Sequence, residues 1–180
     1  MEVDALMAPL AEYSVKAIPD RRIVEVYDAD AYLGDEEALK ASERQVVAGN
    51  GYHLFLNSLQ PTIRVTVTIR IWPTEQEPPA GADGSVPVTL ESETGLLVIN
   101  QLTYGPAGEM ELPEPGVYEG HAWWTGREST AAYYNDALAR IGDDWTVEQI
   151  RQGWAECPFE EIYTLDLHFV RPSEEVDEDD

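Results

Sequence analysis

"IRVTVTIRIW", residues 63–72, alternates without a break. Successive side chains of an extended chain point to opposite faces, so Ile63, Val65, Val67, Ile69 and Ile71 share one side and Arg64, Thr66, Thr68 and Arg70 the other. One face must meet a core and the other water. "EIYTLDLHFV", 161–170, repeats the pattern, with Tyr163, Leu165, Leu167 and Phe169 inward and Thr164, Asp166 and His168 outward. "EYSVKAI" (12–18), "RIVEVYD" (22–28), "GYHLFLNS" (51–58), "VPVTL" (86–90) and "GLLVINQL" (95–102) read as further strands. The last two flank "ESETG", where Gly95 suits a turn needing positive φ, and are expected to form a hairpin.

Around these strands the chain is punctuated in two ways. "PTEQEPPAGADGS", 73–85, is dense in Pro and Gly and reads as an exposed loop. Two patches have helical character. "DEEALKASERQ", 35–45, places acids in its first turn, where they favour the helix dipole. The second runs from Glu128 to Trp154 and is divided at Gly142; within it Thr146 and Gln149 form a capping box ahead of Val147, Ile150 and Trp154. Strands at short spacing dominate, and no strand–helix alternation appears. The expected fold is a mainly β, antiparallel β-sandwich with a small helical insertion before the last strand.

The 180 residues suffice for one well-buried domain, expected over residues 1–171. Thirty-five acids against 11 Lys plus Arg set the net charge at −24. Six of the acids lie in "PSEEVDEDD", residues 172–180, which reads as a disordered acidic tail. Acidity of this size disfavours direct contact with nucleic acid or anionic membrane and speeds encounter with cationic proteins. It also serves solubility alone. No apolar run approaches the roughly 20 residues of a membrane helix, and the acidic N-terminal stretch is unlike a leader peptide, so a cytoplasmic location is expected. Cys157 is the single cysteine, so no internal disulfide can form.

Chemistry-bearing patterns are sparse. His53, His121 and His168 stand singly on strands without a second ligand at metal-binding spacing. Cys157, between Glu156 and Pro158, lacks the cationic setting that activates a thiol. No nucleophile elbow, phosphate loop or dinucleotide fingerprint occurs. The expectation is a protein without catalytic residues, metal or cofactor. "VYEGHAWW", 117–124, puts Tyr118, Gly120, Ala122 and Trp124 on one face and Val117, Glu119, His121 and Trp123 on the other. The two tryptophans cannot enter the same core layer. Either one lies under the second sheet and one under the helix that follows, or one stays exposed as an anchor for a protein partner, or as a platform for a sugar.

The segments "VPVTLESETGLLVINQL" and "PEPGVYEGHAWW", closed by "YTLDLHFV", resemble the ComJ-like inhibitors of DNA-entry nucleases in their succession of a VP strand, a glycine turn, a strand and a P-x-G-x-Y strand. The resemblance implies a β-rich protein that occludes a basic, nucleic-acid-handling partner such as a nuclease or toxin. It carries over no binding residue. From the residues themselves, the contact candidates are Asp28, Asp30, Asp35, Glu36 and Glu37 in "YDADAYLGDEE", Glu109, Glu111 and Glu114 in "EMELPEP", and Trp123 or Trp124. A small-molecule or carbohydrate-binding sandwich and a DNA mimic are the competing functions.

Overall fold

Ten strands and two helices frame the chain in the computed structural model, which describes residues 8–31, 40 and 45–173. They are β1 (Ala11–Ala17), β2 (Ile23–Asp28), β3 (Val47–Gly49), β4 (His53–Asn57), β5 (Val65–Trp72), β6 (Gly84–Ser92), β7 (Leu96–Asn100), β8 (Pro106–Glu111), β9 (Gly116–Thr125) and β10 (Ile162–Arg171). Helices α1 (Arg127–Arg140) and α2 (Val147–Ala155) lie between β9 and β10. Most of the predicted helix at 35–45, with Asp35, Glu36 and Glu37, and residues 174–180 of the acidic tail lie outside the described residues.

The strands form two five-stranded sheets, β1-β5-β10-β9-β6 and β3-β4-β2-β7-β8. The fold is mainly β, as the alternation predicted. All pairings are antiparallel except β5 with β10, which run parallel. Between the sheets lies one apolar cluster. Val65, Val67, Ile69 and Ile71 of β5 and Leu165 and Leu167 of β10 enter it from the first sheet, and Val26, Leu54, Leu97 and Ile99 enter it from the second. Burying each such side chain contributes about 1.5–3 kcal/mol.

The hairpin expected across "ESETG" does not form. β6 pairs with β9 in the first sheet, and β7 pairs with β2 and β8 in the second. The chain changes sheets at this corner, and Asp28 shows why. Its buried carboxylate accepts hydrogen bonds from Ser92 Oγ at 2.5 Å, Thr94 Oγ1 at 2.7 Å and Thr94 N at 3.1 Å, tying the corner to the end of β2. Gly95 has the expected positive φ, 77°. A glycine turn is compatible with a hairpin and with a crossing, and a long-range carboxylate selects the crossing.

The helical insertion divides as read, and the Thr146–Gln149 capping box forms. Tyr134 of α1 stacks on Trp154 of α2, ring centroids 5.1 Å apart. β9 and β10, which the two helices separate in sequence, are neighbours in the sheet.

Candidate partner-binding face

The face of the first sheet that points away from the core is a grid of polar and aromatic side chains. Register places Thr68, Thr164 and Trp123 in one row, Arg70, Asp166 and His121 in the next, and Trp72, His168 and Glu119 in the third, on β5, β10 and β9 respectively. Asp166, predicted to face outward, does so, yet it is only 4% exposed. Its neighbours bury it. Arg70 grips the carboxylate with two bonds, Nε to Oδ1 at 2.7 Å and Nη2 to Oδ2 at 3.0 Å. The indole N–H groups of Trp72 and Trp123 donate to the same carboxylate at 2.8 and 2.7 Å. The guanidinium carbon of Arg70 lies 5.5 Å from the Trp72 ring centre and 5.9 Å from that of Trp123, within cation–π range of both.

This arrangement decides the charge state. Burial is the largest influence on Asp166 and pushes its carboxyl upward, but the bonds from Arg70, Trp123 and Trp72 and the guanidinium charge outweigh it. The pKa falls below the ordinary value, and Asp166 is an anion at neutral pH. An ionised carboxylate with four charge-assisted or indole bonds holds both rings in fixed orientations. Trp72, Trp123, His121 and His168 remain partly accessible. Tryptophan and arginine are the residues most enriched where binding energy concentrates at protein interfaces, and a rigid aromatic loses little entropy when it is covered.

The two adjacent tryptophans therefore have separate tasks. Trp124 points inward, packs against the apolar cluster and crosses Gly84, where an added Cβ would lie 2.3 Å from Trp124 Cζ2. Trp123 belongs to the open grid.

The predicted acidic contacts also separate. Asp28 is buried and its oxygens are engaged at the sheet-switching corner, so it is not an exposed carboxylate. Burial, the largest influence, pushes its pKa up; the bonds from Ser92, Thr94 and Asp30 outweigh that, leaving it below the ordinary value. Asp30 is exposed, and its backbone N–H caps Asp28. Glu109 and Glu111 are exposed on β8, the edge of the second sheet, with buried Met110 between them. Glu114 is exposed in the turn leading to β9. The structure thus presents exposed acids along one edge and an aromatic grid on the other sheet; it does not merge them into one cluster.

The histidines do not converge. His121 and His168 are on the open grid, whereas His53 is on the outer face of the second sheet, stacked on Phe55 at 4.3 Å. Among the described residues no group of three or more His, Cys, Asp or Glu is placed to hold a metal ion. None of their helices is long and apolar enough to cross a membrane.

No protein-family model matches the chain, and no curated protein does. Solved structures do. ComJ from Bacillus subtilis, an inhibitor of the DNA-degrading activity of NucA, superimposes with a TM-score of 0.56 over 92% of this chain and 100% of its own, at 12% identity. The fold is ComJ-like. The product of crocagin biosynthetic gene J matches at a TM-score of 0.49 and 17% identity, over 90% of this chain and 100% of that one.

Proposed function

We propose that this ComJ-like protein is a non-enzymatic binding protein of the inhibitor or immunity type that occludes a cationic protein partner such as a nuclease. The observation that carries the reading is the shared fold along the whole length of an inhibitor of a DNA-degrading protein. Physical chemistry supports it. A nuclease carries cations where it grips phosphate, and a chain of net charge −24 is drawn to such a surface. In this reading Asp30, Glu109, Glu111 and Glu114 steer the approach, and Trp123, fixed by Asp166, supplies the desolvated anchor.

The test is inhibition. Partners are captured from the source cell at low salt, and DNA degradation by the captured protein is followed as this chain is added. Suppression saturating at a fixed stoichiometry, and weakening when Glu109, Glu111 and Glu114 are changed to Gln, is the expected result. No suppression of any captured nuclease, or binding indifferent to salt, would overturn the reading.

A further inference from the structure

The first sheet's outer face does not keep one sign of charge along its length. Where β5 begins, a groove of about 570 Å³ opens between the sheet and the helical insertion. Lys16 of β1, Arg64 just before β5 and Arg151 of α2 line it against one carboxylate, Glu160, and Trp154 and Phe159 give it aromatic surface. The concentration is unexpected in a chain with only 11 Lys plus Arg among 35 acids. Nor is it neutralised from within. The side chains of Lys16 and Arg64 make no hydrogen bond or ion pair among the described residues, and that of Arg151 has only a 3.8 Å contact with the exposed Glu148. Phe159, beside these cations, is 48% exposed.

We propose that this groove receives an acidic polypeptide segment of the protein partner, an inference that rests on the binding-protein reading above. Charge complementarity selects the occupant. At physiological salt the Debye length is about 8 Å, so a ligand inside the groove is governed by the three cations more than by the acidic body. A single inorganic ion is a poor match, because the cations come from three separate elements around an open groove on the scale of a small-molecule site. A nucleic acid long enough to fill the groove would extend over the acidic surface beyond it, where the field repels phosphate. A short acidic peptide has neither difficulty. Its carboxylates can take bidentate bonds from Arg64 and Arg151, and its apolar side chains can cover Trp154 and Phe159. The partner so implied is bipolar: cationic where it meets Glu109 and Glu111, acidic where it enters the groove.

The probe is a fluorescein-labelled peptide of six glutamates and two leucines, titrated with the full chain by anisotropy at low and physiological salt. Binding is expected, weakened at least tenfold by Arg64→Glu with Arg151→Glu. It should change less than twofold for Arg21→Glu with Arg22→Glu, exposed cations outside the groove. An octamer of thymidylate should not compete. Failure of the parent chain to bind the peptide, equal loss in the two double variants, or tighter binding of the thymidylate octamer would each overturn the proposal. Nuclease suppression that survives Arg64→Glu with Arg151→Glu, alongside a failed titration, would sink the groove alone. Peptide binding without suppression of any nuclease would sink the inhibitor reading alone.

Discussion

The two sheets bury their inner faces alike and treat their outer faces in opposite ways. On the first sheet the outer face stays partly accessible, and Asp166 is the residue that organises it. On the second, Tyr27, Phe55 and Val98 are outward by register yet buried, and so are Glu25 and His53 beside them. Among the described residues Glu25 has fewer partners than Asp166: Asn100 donates to it at 3.0 Å, and His53 Nε2 stands at 3.7 Å, beyond hydrogen-bond length. A polar network on the outer face of a sheet is not needed to close a core. Its full satisfaction, four bonds to one carboxylate, indicates a surface held in shape, whereas among the described residues the outer face of the second sheet is bonded more sparsely.

The largest effect expected from this contrast follows Asp166→Ala. It leaves the Arg70 guanidinium and two indole N–H groups without their acceptor, and breaking a buried ion pair from one side costs about 3–5 kcal/mol. Urea unfolding should show it. Glu25→Gln, which keeps the bond from Asn100 and removes a buried charge, should cost less than half as much. Equal losses would erase the distinction between the two faces.

Next comes a pair of aromatic truncations. Phe55→Ala on the buried face should cost about 3–5 kcal/mol and leave partner affinity per folded molecule unchanged. Trp123→Phe keeps most of the ring and removes one hydrogen bond, so stability should fall by only about 1 kcal/mol. The same change should weaken partner binding severalfold. If Trp123→Phe lowers stability and leaves affinity untouched, the grid is structural and the edge acids alone bind.

Acid titration separates two carboxylates five positions apart. Asp166 has its folded pKa below the unfolded value, so its stabilisation is present above the unfolded value, about 3.9, and is lost as pH falls through the folded one. Asp28 and Glu25 act in the same direction. Glu161 is the reverse. Burial, its largest influence, raises its pKa although Tyr163 Oη donates to it at 2.5 Å and Gln60 Nε2 at 3.4 Å. Its contribution is full below the unfolded value, about 4.3, and is lost as pH rises through the folded one. Glu161→Gln should therefore gain stability relative to the parent between pH 5 and 7, by about 1 kcal/mol or less. A relative loss across that range would show that the ionised form is the one the fold favours.

The smallest effect is expected at the rim. Glu109→Gln with Glu111→Gln should change stability by less than about 0.5 kcal/mol, as surface substitutions do, while slowing association with a cationic partner at low salt. An unchanged on-rate in stopped-flow mixing would assign the acidity of β8 to solubility.

Much of this was legible from spacing. The alternation at 63–72 marked the sheet with one wet face, and the near-continuous apolar runs "HLFLN" and "LLVIN" carry the signature of strands buried on both faces. Trp123 and Trp124 were correctly placed on opposite sides of β9. Arg70 and Asp166 were both placed outward, but their union was not readable, because 96 positions separate them and only the parallel pairing of β5 with β10 makes them neighbours. Trp72 escaped notice for the same reason. Asp28 reads as exposed in the sequence, because the donors that bury it lie 64 and 66 positions away.

By itself the sequence determined the strand character of β1, β2, β4, β5, β6, β7, β9 and β10, though not of β3 or β8, which face of the alternating strands is apolar, the division of the helical insertion into two, and the charge that biases the choice of partner. Those properties depend on neighbours within a few positions, through side-chain alternation, capping and composition. Tertiary structure decided which strands pair, where the chain changes sheets, which carboxylates are engaged and which remain free, and that three scarce cations share one groove. Each of those outcomes depends on contacts between distant segments, whose loop-closure cost falls slowly with chain proximity and leaves no periodic mark in the chain.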